Sequence, residues 1–179
     1  NTRAGNLVIR GEIGTTSDRP VYEVQIEARV YDELDQLVGV WTGTPVLTAT
    51  LPGQLNPFGI PTDIYWYWGE LHFEVKVIGW ELVSPVAYAP LSAEIFPKES
   101  PPENLVDRVT VRIENDGPVP LEDVRALVWS LWQPYGITAK SVAEVMLPGE
   151  VITITESFIP RVFLNTVHAA AQGVVPQQP

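Results

Sequence analysis

The chain states one pattern twice. Near its start it reads Arg19-Pro20-Val21-Tyr22-Glu23-Val24, and one hundred residues later Val119-Pro120-Leu121-Glu122-Asp123-Val124. Leu51-Pro52-Gly53 likewise returns as Leu147-Pro148-Gly149. A period of that length is a whole domain, not a solenoid unit. The 179 residues divided between two copies leave each near the size of a small β-sandwich. The duplication therefore predicts two related domains, residues 1–84 and 105–179, separated by residues 85–104.

Within each copy the apolar residues alternate with polar ones. Val24, Ile26, Ala28 and Val30 fall on one face of an extended segment, with Gln25, Glu27 and Arg29 on the other. That period of two is the signature of a half-buried strand. Leu7, Ile9 and Ile13 oppose Arg10 and Glu12 in the same way. Residues 14–20 and Asp32–Gln36 are rich in turn formers, and 37–42 and 46–50 read as further strands. The second copy repeats the order. Val109, Val111 and Ile113 match Ile9, Gly11 and Ile13; Val124, Ala126 and Val128 form the inward row of its next strand; Gly136 matches Gly39; and 151–155 follows the second Leu-Pro-Gly. No long segment carries a helical period. Between the copies lie Pro85, Pro90, Pro97, Pro101 and Pro102. Proline has no N–H and a fixed φ, so this stretch is expected to be a semi-stiff linker, neither central strand nor helix. The fold class expected is all-β: two tandem immunoglobulin/fibronectin-III-like antiparallel β-sandwiches.

The step Ala28-Arg29-Val30-Tyr31-Asp32, after a Gly/Asp-rich turn ending in proline and before a Pro-Gly turn, resembles the bacterial FxLYD-type domain over roughly residues 7–58. Val30 stands where that family prefers leucine. In the second copy Ala126-Leu127-Val128-Trp129-Ser130 lacks both the tyrosine and the aspartate, and Trp132-Gln133-Pro134-Tyr135-Gly136 also departs from the pattern. The resemblance implies an immunoglobulin-like sandwich used as an accessory or adhesion module on secreted or surface-anchored bacterial proteins, with no shared catalytic residues. It also implies an extracytoplasmic location.

Composition narrows the chemistry. A net charge of −11 disfavours a phosphate backbone or an anionic lipid surface as partner and favours solubility through self-repulsion. No run of apolar residues is long enough to span a bilayer, and residues 1–5 do not open a signal peptide. Without cysteine there are no disulfides, thiolate metal sites or thiol nucleophiles. His72 and His168 fall in different copies, and neither a Gly-x-Ser-x-Gly elbow nor a glycine-rich phosphate loop occurs. A carboxylate pair for glycoside hydrolysis could hide among 22 acidic residues, but most occupy outward strand positions or turns. Asp32, Glu33 and Asp35 share one turn. That grouping could hold Ca²⁺, although aspartate also favours turns for its own backbone hydrogen bonding. The expectation is no enzyme, no cofactor and no metal.

One segment is unusual. Tyr65-Trp66-Tyr67-Trp68 places four aromatics in succession in a chain that is 9% aromatic, with no counterpart in the second copy. In a strand, Tyr65 and Tyr67 face one way and Trp66 and Trp68 the other. One pair can enter the core. The other pair would pack an inter-domain contact, anchor a protein partner or a second copy, or stack on a sugar ring. These four residues are the candidate binding site. Trp41, Trp80, Trp129 and Trp132 read as ordinary core or edge residues; Trp129, next to the inward Val128, should face outward in a regular strand, where it could cover the second domain from the linker side.

Overall fold

The computed structural model describes residues 6–65, 70–82, 84, 86–96, 105–130 and 139–177. These residues form an all-β structure in which every ladder is antiparallel. In the first half, β1 (Asn6–Ile13) pairs with β5 (Asn56–Tyr65). β2 (Val21–Tyr31) pairs with β3 (Leu37–Gly43), with the short β4 (Ala49–Thr50) and with β6 (His72–Glu81). The two layers share one core. Ile9, Phe58, Ile60 and Ile64 come from the first sheet and meet Val24, Ile26, Ala28 and Val30, the row that the alternation in β2 marked as inward. Burial of such a row is the main favourable term holding two sheets face to face.

The second half repeats this pairing. β8 (Leu105–Glu114) pairs with β11 (Val151–Phe163), and β9 (Leu121–Ser130) with β10 (Lys140–Met146) and β12 (Val167–Val174). Even the registers repeat. Ile13 faces Asn56 and Gly11 faces Phe58 in the first half; Ile113 faces Ile152 and Val111 faces Ile154 in the second. Ala28 lies opposite Trp41 and Val75, and Val128 lies opposite Ala169. One volume exchange keeps the cores filled. Gly11 leaves room for the Phe58 ring, whose Cζ lies 2.5 Å from where a Cβ would stand, while the second half uses Val111 and Ile154.

The repeated sequence phrases have a physical origin. Glu23 and Asp123, one hundred residues apart, both adopt positive φ, 48° and 43°. At each, two residues of the central strand oppose one residue of its neighbour: Tyr22 and Gln25 face Glu81 and Gly79, and Glu122 and Arg125 face Val174 and Gln172. This is a β-bulge, so the shared Pro-x-x-acid-Val phrase encodes the same twist in each half. Leu-Pro-Gly is equally specific. Gly53 and Gly149 have φ of 74° and 76°, and the following residue's N–H donates back to Leu51 or Leu147.

One expectation fails. The stretch 85–104 is not simply a linker, because it contains β7 (Tyr88–Phe96), a strand between two others. β7 changes sheets along its length. Tyr88–Leu91 pairs with β12, and Ser92–Phe96 pairs with β8. Pro90 is tolerated because the β7 residues around it have a ladder partner on one side only, so its missing N–H breaks no second ladder. Counting prolines missed this, since a strand that crosses between sheets needs half the donors of a central one. Pro85, Pro97, Pro101 and Pro102 lie outside the described residues.

A Cβ at either Gly53 or Gly149 meets nothing within 4 Å, so alanine there costs only the left-handed backbone. Gly53→Ala and Gly149→Ala are each expected to lower stability by about 1 kcal/mol, equally in the two halves, as read from urea unfolding midpoints.

Candidate functional site

Three surfaces stand out, and they differ in what covers them. The first lies between the halves. Leu47, in the bridge from β3 to β4, is buried against Leu127, Trp129 and Ala170 of the second half. Trp129 does point away from the Val124-Ala126-Val128 row, as the alternation required. It is nevertheless fully buried, because the first half covers it. Its Nε1 donates to Glu12 Oε1 at 2.7 Å, and its ring stacks on His168 at 5.5 Å. Gln54 Nε2 donates to the Ala171 carbonyl at 3.1 Å, and Tyr22, Ala49 and Leu51 pack with Tyr88. Burial also pushes the Tyr22 phenol above its ordinary pKa. These contacts fix the halves against each other, and beside them an open cavity of about 560 Å³ is lined by Gln54 and Leu55 of the first half and Leu91, Trp129 and His168 of the second.

The second surface is the expected aromatic site. Tyr65 closes β5 and is exposed, beside a shallow cleft of about 300 Å³ lined by Val38, Trp41, Asp63 and Ile64. Trp41 Nε1 donates to Asp63 Oδ1 at 3.1 Å. Ile64, the neighbour of Tyr65, is buried in the core. Trp66, Tyr67 and Trp68 lie outside the described residues, as does Trp132.

The third surface was not singled out from the sequence. On β6, Phe73, Val75 and Val77 lie opposite Val30, Ala28 and Ile26, so they belong to the inward row of the sheet. Yet all three are open to solvent, Phe73 at 54%. Beyond them Trp80 is 59% exposed on a strand that, among the described residues, is paired on one side only, so of the two readings it is an edge residue and not a core one. The register equivalents on β12 behave oppositely: Ala171, the counterpart of Val77, is 0% exposed. The opposite face of β6 is an ordinary solvated surface. Glu27 accepts from Arg29 Nε at 2.8 Å with Lys76 Nζ 3.4 Å away, and this pairing, chiefly the Arg29 bond, holds the Glu27 carboxyl below its usual pKa. On β6 the regular apolar row, Phe73, Val75 and Val77, lies on the inward side.

The remaining candidates are occupied locally. Asp32 Oδ1 accepts from the N–H groups of Leu34 and Gln36, both at 2.9 Å, which is the turn-forming use of aspartate. Among the described residues no three His, Asp or Glu side chains gather as a metal set. His72 stacks on Tyr31, far in sequence from the His168 that stacks on Trp129. Compared with protein-family models and with curated proteins, the chain matches none.

The interface makes its own prediction. Leu47→Ala removes the one leucine the first half inserts beneath Trp129 and is expected to cost about 2–5 kcal/mol. Calorimetry should then resolve two unfolding transitions where the parent chain gives one.

Proposed function

We propose that this chain is a non-enzymatic protein-interaction module made of two tandem sandwich repeats, held in fixed orientation by the Leu47–Trp129 contact. The observation that carries the reading is the exposed apolar row of β6. Soluble proteins rarely leave contiguous apolar surface open unless it contacts something, and a row that continues a core is the kind of surface a partner completes. The FxLYD-like pattern around Tyr31 supports placing the module on a secreted or surface-anchored bacterial protein, outside the cytoplasm. The acidic charge supports a soluble display of that surface and a partner that is neither nucleic acid nor anionic lipid.

Carbohydrate binding is the alternative, favoured by the exposure of Tyr65 beside the Trp41 cleft. A glycan array separates the two. Binding that is lost in Tyr65→Ala would replace the protein-contact reading.

The direct test is a photo-crosslinking residue placed at Phe73 and, as a control, at the still more exposed hairpin position Leu34, in the chain expressed in its native cell. The expected result is a discrete protein adduct from position 73 and none from position 34. No adduct from 73, or the same adduct from both sites, overturns the reading.

A further inference from the structure

The crossing of β7 leaves a fork in the second half. β7 pairs with β12 as far as Leu91 opposite Ala171, and from Ser92 onward it pairs with β8 on its other side. Among the described residues the earlier part of β12, residues 167–170, is paired with β9 only. The open cavity of about 560 Å³ beside the contact between the halves lies in this fork. Val167 and Ala169 of β12 line it together with Ala93 and Ile95 of β7, with Leu91 at the apex and the turn at residues 52–55 of the first half.

The main chain of β12 points into the fork. Along an antiparallel strand the residues that bond to a given neighbour recur every second position. The Val175 N–H donates to the Ala87 carbonyl at 2.8 Å, one step beyond the pairing of Val174 with Tyr88. Counting back by two, Gly173, Ala171, Ala169 and Val167 direct their N–H and C=O groups to the β7 side. The nearby bulge does not upset this count, because its extra residue lies in β9. At Ala171 the first half already reaches in: Gln54 Nε2 donates to the Ala171 carbonyl at 3.1 Å, as the amide of an added strand would. Two residues earlier, at Ala169, β7 has turned away to β8.

The outer side of the fork is acidic. His168 lies on the face of β12 turned to the first half, with its Nε2 3.9 Å from Glu12 Oε1. Glu94, between the inward Ala93 and Ile95, lines the same cavity. No lysine or arginine is among the residues that line it.

We propose that this fork is a docking groove for an extended basic segment of a partner protein. The segment pairs antiparallel with β12 at residues 167–169, continuing the line that β7 leaves. Main-chain bonds to Ala169 and Val167 supply affinity. In such a pair, directly opposed residues share a face, so the segment turns an apolar side chain inward beside Ala169 and a lysine or arginine outward beside His168, within reach of Glu12 and Glu94. The carboxylates and the net charge of −11 select a basic segment over a second copy of this chain. The groove is a different surface from the β6 row and does not depend on it.

The probe is a fluorescein-labelled heptapeptide, Thr-Val-Arg-Val-Lys-Val-Thr, titrated into the full chain by anisotropy. Saturable binding is expected, at least tenfold weaker when glutamate replaces both basic residues. N-methylation of the valine amides, which face β12, should abolish binding, whereas N-methylation of the arginine and lysine amides should be tolerated. Ala169→Pro removes the donor that points away from β9, so it should keep the parent melting temperature and weaken binding at least tenfold. If that variant does not fold, amide shifts in the wild-type chain decide instead, and they must include Ala169 and the Trp129 indole N–H. No binding, equal loss from either methylation pattern, or indifference to peptide charge overturns the proposal. An Ala169 amide as protected from exchange in the unliganded chain as that of Ala171 also overturns it, by showing the edge already paired. Val77→Asp should leave the affinity unchanged; a loss there moves the site to β6 and overturns the groove. If the peptide fails while the position-73 crosslink still forms, the groove is removed and the β6 reading stands.

Discussion

Strand β7 satisfies two sheets at once, and the difference between the halves follows from its presence in one and, among the described residues, the absence of such a strand from the other. In the second half its first residues close the edge of β12 and its last residues close the edge of β8, while Leu91 seals the gap between the layers. A two-layer sandwich is stable only when the inward rows of both sheets are out of water, and a crossing strand is an economical way to cover the margin of both. In the first half the same inward row runs on to Val77, Val75 and Phe73 and stays wet. The repeat thus supplies its own reference: the same pairing order in the same register, once with β7 on the margin and once, among the described residues, with no strand there.

The contact between the halves turns this asymmetry into a defined object. Leu47, Glu12, Gln54 and Tyr22 all come from the first half and engage Trp129, Ala171 and Tyr88 of the second. The contact covers the outward face of the β9–β12 sheet, not its core, so it uses surface that an isolated sandwich would expose to solvent. The cleft lined by Ile13, Val24 and Val77 is not part of that contact and stays accessible.

Much of this was legible in the sequence where a local rule was sufficient. Alternation along Val24–Val30 identified the inward row of β2, and the same parity argument sent Trp129 outward. The repeated Leu-Pro-Gly and Pro-x-x-acid-Val phrases marked real structural repeats, a left-handed glycine turn and a bulge, although their spacing and not their geometry first drew notice. Two things were not legible. Prolines in 85–104 hid β7, because the rule against proline assumes a strand with partners on both sides. And the row Phe73-Val75-Val77 carries a clean period of two that any reader would assign to a half-buried strand. Whether a row is covered depends on what lies across from it, which no local pattern records. The aromatic run drew attention by its composition. Its described member, Tyr65, sits at the end of β5, opposite Asn6, away from the open cleft.

The claim that matters most is that, among the described residues, the outer edges of β1 and β6 carry no strand whereas those of β8 and β12 are closed by β7. Amide hydrogen exchange resolved by residue tests it in a single experiment on the wild-type chain. The account predicts that the amides of Ala171–Val174, flanked by strands on both sides, are protected throughout, whereas in Val77–Glu81 those pointing away from β2 exchange orders of magnitude faster. Uniform protection across both segments would mean that the edge of β6 is already paired, and the account would be wrong.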